Sequence, residues 1–227
     1  VLSKEEQKRI LYDWNDVRAD RPEVCTHHLI ETVAARSPDS AAVAFLGSYL
    51  TYKELNTRAN QLAHHLRRLG VGPEIRVGLC LEKSLEMIVG VLGVLKAGGA
   101  YVPIDPAYPG ERIAYMMEDS EIAVLLTWRD VKTGLPPFSG TIICLDSDWD
   151  QIARESGENP GVKVGADPLA SMIYTSGTTG KSKGTMISHR SLVNSYLGWE
   201  DAYTLKTVAR SHLQMANFSF DVFSGDF

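Results

Sequence analysis

The sequence predicts an α/β fold built on a mostly parallel sheet with helices on both faces. Three observations carry that prediction. From residue 76 onward, short β-rich runs alternate with longer segments of helical period. The runs Ile122–Thr127 and Thr141–Leu145 are apolar along their length, as strands covered on both faces are. Hydrophobic residues make up 44% of 227, enough for a sizeable buried core.

The elements follow in order. Ser3 and Glu6 have capping-box spacing for a short helix through Tyr12. Trp14–Pro22 reads as linker. Thr26 is the expected N-cap of a helix carrying Leu29, Ile30 and Val33, ending before Pro38. Ala41–Phe45 reads as a strand. Thr51 and Glu54 form a second capping box, opening a helix with Leu55, Ala59, Leu62, Leu66 and Leu69 on one face and Gly70 as its stop. Arg76–Leu81 is then a strand. Ser84 caps a helix to Ala97, closed by Gly98-Gly99. Ala100–Pro103 is a strand, and Pro109 starts a helix to about Asp119. Gly157–Pro168 is a polar loop or subdomain connection, and Ala170–Tyr174 a strand. In such sheets ligands bind at the loops beyond the strand C-termini.

Charge and composition exclude some functions. The net charge is −5 with no basic cluster, which argues against a nucleic-acid partner or an anionic membrane. Leu85–Ala97, the longest apolar stretch, contains Glu86 and Lys96 and is too short to span a bilayer. Cys25, Cys80 and Cys144 are far apart and odd in number, so neither a disulfide framework nor a zinc spacing is expected. Cys80 and Cys144 sit in apolar runs as small core residues. A reducing cytoplasm suits this pattern, and no secretory leader is expected from the polar N-terminus. The missing initiator Met predicts a start inside a longer polypeptide or after processing.

The most informative segment follows the strand at 170–174. Thr175-Ser176-Gly177-Thr178-Thr179-Gly180-Lys181-Ser182-Lys183-Gly184 consists of Gly, hydroxyl and Lys residues. Glycines let a backbone approach polyphosphate and aim N–H groups at it. Hydroxyls donate to phosphate oxygens, and lysines supply positive charge. The plain alternative is a solvated glycine-rich hairpin. A sharper rival is the Walker P-loop, since Gly180-Lys181-Ser182 matches its end. Its first glycine would fall at 175, where Thr175 stands, and the residues after the loop read as extended before any helix.

Here a family resemblance enters. Tyr174–Gly184 resembles the Y-T-S-G-T-T-G-x-P-K-G signature of adenylate-forming enzymes, which include acyl-CoA ligases, luciferases and the adenylation domains of nonribosomal peptide synthetases. Leu50-Thr51-Tyr52-Lys53-Glu54-Leu55 resembles the family's first core motif. Leu95–Pro106 resembles its second, in wording typical of peptide synthetases. Phe220-Asp221-Val222-Phe223-Ser224 stands where the fourth motif, F-D-x-S, belongs, with its serine one residue late. Leu2-Ser3-x-Glu5-Glu6…Trp14-Asn15 is similar to the linker that follows a condensation domain. Ser182 replaces the usual proline of P-K-G. Such domains are also much longer than this chain.

The resemblance implies the N-terminal part of the large subdomain of an adenylate-forming enzyme, with residues 1–22 as preceding linker and 23–227 as the incomplete domain. It implies activation of an amino acid by ATP to an aminoacyl adenylate and pyrophosphate, then transfer to the phosphopantetheine thiol of a peptidyl carrier protein. Thr175, Ser176, Gly177, Thr178, Thr179, Gly180, Lys181, Lys183 and Gly184 are then the phosphate-binding candidates. Lys183 and Thr175 are the candidate catalytic residues, and Lys181 is the less firmly assigned of the two lysines. Asp221 is the candidate partner of the substrate's α-ammonium, with Phe220, Val222 and Gly225 beside the substrate. Magnesium arrives with ATP and binds through its phosphates, so no protein metal ligand is assigned. The implied partners are the remainder of the adenylation domain, a carrier protein and an upstream condensation domain.

The alternatives are an acyl-CoA or aryl-acid ligase of the same superfamily, and a non-catalytic piece serving as an interaction surface. The fragment by itself is expected to be catalytically silent. His27-His28 and His64-His65 are adjacent pairs that point to different helix faces and make poor metal sites. His189 and His212 have no partner visible in the sequence.

Overall fold

The computed structural model describes residues 2–15, 20–175, 182–208, 211–214 and 216–219. The first helix, α1 (Lys4–Lys8), carries the expected box: Ser3 Oγ accepts from the Glu6 N–H, and Glu6 Oε2 from the Ser3 N–H. The chain then continues as a wider π-type turn over Arg9–Asp13. In α2 (Thr26–Arg36) the capping position belongs to Cys25, not Thr26, which is already helical. The Cys25 N–H donates to His28 Nδ1 at 3.3 Å, a role no cap preference would assign to histidine.

β1 (Ala41–Phe45) pairs with β2 (Ser48–Thr51), a strand that periodicity does not separate from the helix start after it. Leu46 and Gly47 both take positive φ, the twist a two-residue hairpin needs. The second capping box opens α3 (Tyr52–Arg68), which buries Leu55, Ala59, Leu62 and Leu66. Leu69 leaves that stripe. It is the C-cap, 43% exposed, because the helix unwinds into left-handed Gly70 before Leu69 can reach the core.

The remaining strands and helices alternate as far as β7 and follow in the order β3 (Arg76–Cys80), α4 (Leu85–Ala97), β4 (Ala100–Ile104), α5 (Gly110–Asp119), β5 (Val124–Thr127), α6 (Arg129–Lys132), β6 (Thr141–Cys144), α7 (Trp149–Ile152), β7 (Leu169–Thr175), β8 (Lys183–Ser188), α8 (His189–Tyr203) and α9 (Leu205–Val208). α6 and α7 are single turns, too short for a periodic signal. Ser84 Oγ caps α4 by accepting from the Met87 N–H, and Gly98 ends it at φ 89°.

The main sheet has the order β6-β5-β3-β4-β7-β8. Its first five strands are parallel, and β8 closes the edge antiparallel to β7. From β3 the chain crosses to β4 on one side, then returns to β5 on the other. Helices therefore cover both faces. On one, α3 and α4 pack on Val77, Leu79, Tyr101, Val124 and Leu126. On the other, Ile113, Met116 and Met117 of α5 pack on Cys80, Val102, Ile104 and Leu125. Each such side chain contributes about 1.5–3 kcal/mol on full burial. Gly93 lets α4 approach α3: a Cβ there would stand 2.7 Å from Leu62 Cδ2.

The polar 157–168 segment runs across α3. Asn60 Nδ2 donates to the Gly157 carbonyl, and Asn159 Oδ1 accepts from Asn56, Asn60 and the buried Lys96 ammonium. Among the described residues, no helix is long and apolar enough to cross a membrane.

Candidate functional site

The glycine-rich segment is held at both ends by one ladder. Thr175, the last residue of β7, pairs in register with Lys183, the first of β8, and Tyr174 pairs with Gly184. Ser182, Lys183 and Gly184 are described; Ser176, Gly177, Thr178, Thr179, Gly180 and Lys181 lie outside the described residues.

α5 braces both shoulders of this hairpin. The Tyr174 hydroxyl donates to Asp119 Oδ2 at 2.6 Å, and the Tyr115 hydroxyl donates to the Ser182 carbonyl at 3.0 Å. The two tyrosine rings meet edge to face at 6.3 Å. Burial, with Asp119 alongside, raises the Tyr174 pKa above the ordinary phenol value, so its proton stays in the hydrogen bond. Lys183 and Thr175 are exposed at the rim, available to a ligand.

This frame excludes the Walker alternative. A Walker P-loop runs from strand into helix, so that the helix N-terminus faces phosphate. Here the loop joins two antiparallel strands, and α8 begins only after β8. The extended stretch expected after the loop is present as β8.

A second cluster lies at the C-terminal ends of β3, β4 and β5. An open cleft of about 620 Å³ is lined there by Glu82, Lys83, Asp105, Tyr108, Asp130 and Asn217, among others. Parallel sheets position ligands in this place. Asp105 follows β4 directly, and its Oδ1 accepts from the Ala107 N–H. Its Oδ2 accepts from Asn217 Nδ2 at 2.8 Å. Asn217 Oδ1 in turn accepts from both the backbone N–H and the hydroxyl of Ser219. Tyr108 hydrogen-bonds to Ser219 Oγ at 2.8 Å, and Phe218 stacks on Tyr101. Phe220, Asp221, Val222 and Gly225 lie outside the described residues.

The histidines do more than the sequence suggested. His189 is fully buried, and its Nδ1 accepts from the Thr26 N–H at 3.3 Å. Its ring meets His27 edge-on at 5.7 Å. Cys25 joins them, its thiol donating to the carbonyls of Val164 and Gly165. Burial holds His27 neutral, with its pKa down at about 2 and His189 at about 4, and pushes the Cys25 thiol up to about 11. His64 and His65 face Glu158 and Glu155 across the 155–158 turn.

Cys25, His27 and His189 bring ligand-type atoms within 4.8 Å of one another, the one such group of three among the described residues. Nitrogen and sulfur donors do not suit magnesium, which takes oxygen ligands. This cluster therefore does not fit a magnesium ion.

Comparison with known proteins agrees with this fold. A family model, AMP-binding enzyme, matches residues 30–224. Gramicidin S synthase 2 of Brevibacillus brevis is 50% identical over 228 residues, covering 100% of this chain and 5% of that protein. Bacitracin synthase 2 of Bacillus licheniformis is 44% identical over 230 residues, covering 100% of this chain and 9% of that protein. The chain thus spans a small part of the curated relatives it matches. A solved nonribosomal peptide synthetase, FmoA3 in its alpha-methyl-L-serine-AMP bound form, superposes with a TM-score of 0.88 at 31% identity over 98% of this chain and 24% of that one.

Proposed function

The chain belongs to the AMP-binding enzymes, and from that premise we propose that it is the N-terminal portion of an amino-acid adenylation domain in a nonribosomal peptide synthetase. The observation that carries this reading is the strand–loop–antiparallel strand frame around 175–183. Its two rim residues, Thr175 and Lys183, bracket a segment whose composition suits polyphosphate. The alpha-methyl-L-serine-AMP bound by the superposed synthetase supports the amino-acid side of the reading.

The proposed chemistry runs in two steps. A carboxylate oxygen of the amino acid attacks the α-phosphorus of ATP. The bond to the β-phosphate bridging oxygen breaks, and pyrophosphate leaves. Lys183, Thr175 and the residues 176–181 between them bind the β- and γ-phosphates and neutralise charge that grows on the leaving group. Asp221 pairs with the substrate's α-ammonium, and its desolvation rejects acids lacking that group. Phe220, Val222 and Gly225 line the substrate side. In the second step a carrier-protein thiolate attacks the acyl carbon and AMP leaves. Magnesium, brought by the nucleotide, offsets phosphate charge. Residues 1–22 form the linker before the domain, and the carrier protein, a condensation domain and the rest of the adenylation domain are the partners.

The test is amino-acid-dependent exchange of pyrophosphate into ATP by the full parent polypeptide, across amino, hydroxy, keto and aryl acids. Exchange with amino acids that collapses in Asp221→Ala is expected. Exchange only with acids lacking an α-amine would overturn the reading of Asp221.

A further inference from the structure

We propose that Asp105 and Tyr108 are positioning residues for amino-acid recognition, holding the segment that leads into Asp221; this rests on the adenylation reading above. Asp105 and Asn217 are 112 residues apart in sequence, yet their side chains form one complementary unit. The carboxylate uses Oδ1 on its own turn, through the Ala107 N–H, and Oδ2 on the Asn217 amide. Asn217 uses Nδ2 on Asp105 and Oδ1 on both donors of Ser219. Tyr108 reaches the same serine from the far side, while Arg112 stacks on the Tyr108 ring at 3.8 Å.

The result is a closed chain of hydrogen bonds ending two residues before Asp221. Phe218 anchors the same turn from below, 4% exposed and stacked on Tyr101 of β4. The turn thus takes its position from β4 and the residues just after it. Asn217 is exposed and Asp105 half-buried, so their bond adds little to global stability. What it does determine is where the following backbone starts. A carboxylate must sit within a few tenths of an ångström of its place to pair well with an ammonium group, so a loosened turn is felt in substrate affinity.

The polarity of the unit provides its own test. In Asp105→Asn, the amide can satisfy Ala107 or Asn217 but not both, because one side becomes a donor facing a donor. In Asn217→Asp, two carboxylates face each other. In the double exchange Asp105→Asn/Asn217→Asp every hydrogen bond can re-form. The new amide at position 105 accepts from Ala107 and donates to the new carboxylate at 217, which still accepts both Ser219 donors.

The experiment is pyrophosphate exchange by the full parent polypeptide, with KM measured separately for amino acid and ATP. Wild type is read first; no exchange with any amino acid would bring down the adenylation reading, and this proposal with it. Given exchange, each single variant raises the amino-acid KM roughly tenfold, the scale of one charge-assisted hydrogen bond, at unchanged ATP KM. The double exchange returns the amino-acid KM toward wild type. Tyr108→Phe, which removes one hydroxyl, raises it roughly threefold and serves as the second measurement if a charge variant folds poorly. An unchanged amino-acid KM in Asp105→Asn and Tyr108→Phe would overturn the proposal. So would a parallel rise in both KM values with a lowered Tm, or a folded double exchange no better than its parents.

Discussion

Thr175 and Lys183 face each other across the final rung of the β7–β8 ladder, so the chain between them leaves and re-enters the sheet at one point. That rung fixes the backbone position from which Lys183 leaves the sheet. In the parent polypeptide, Lys183→Ala should lower kcat/KM for ATP in pyrophosphate exchange by roughly 10²–10³, the cost of one preorganised charge-stabilising donor. Lys181→Ala should cost less. If Lys181→Ala proves the more damaging, the phosphate role belongs to that lysine.

Lys96 and Glu31 make an ion pair with unequal burial. The lysine side chain is 0% exposed and the glutamate 18%. Burial lowers the Lys96 pKa, and Glu31 counters that effect. Glu31→Ala leaves a buried ammonium hydrogen-bonded to Asn159 Oδ1 but with its charge unpaired among the described residues, and should destabilise by about 3–5 kcal/mol. Lys96→Met leaves a partly hydrated carboxylate and should cost less. Urea unfolding of both variants gives the order directly, and equal losses would contradict the burial argument.

The buried histidines set an acid limit. Unfolded histidine has its ordinary pKa of 6.5, while folded His189 is held at about 4 and His27 at about 2. Below pH 6.5 the unfolded chain therefore binds more protons than the folded one. The stability from their neutral burial is complete above pH 6.5 and falls as pH drops toward 4 for His189, and further for His27. Thermal melts from pH 8 to 4 should show this slope, and His189→Gln should flatten it. A slope identical in that variant would show that other groups set it.

Gly93 of α4 lies against the Leu62 side chain of α3. A Cβ at 93 would meet Leu62 Cδ2 at 2.7 Å and Cγ at 2.9 Å. Gly93→Val should destabilise by about 1–3 kcal/mol through overpacking. Leu62→Ala removes the two atoms struck hardest, Cδ2 and Cγ, so the double variant should be more stable than the sum of the two losses predicts. Strict additivity in chemical unfolding would mean that the two residues do not compete for space.

Local chemistry was legible wherever neighbours in sequence act on each other. The Thr51–Glu54 box, the Ser84 cap and the Gly98 stop involve residues three or fewer apart, or one backbone angle, and all are present. The glycine-rich segment and the motifs around it were also legible, because composition and order can be read along a line. Leu69 and the cap at Cys25 were misread for a shared reason. Periodicity says which side chains share a face, but not at which residue the backbone unwinds or which neighbour supplies the cap.

The Ser3 and Thr51 capping boxes, most strand runs and the glycine, hydroxyl and lysine composition of 175–184 were thus determined by the sequence itself, since each depends on residues within one or two turns. Only the tertiary structure decided that β8 returns antiparallel beside β7, that His189 meets His27 and Cys25, and that Asp105 holds Asn217. Those pairings join residues that are not neighbours along the chain, the last of them 112 positions apart. They arise because burying both faces of one sheet leaves few places for the connecting loops, and no local propensity records where those loops meet.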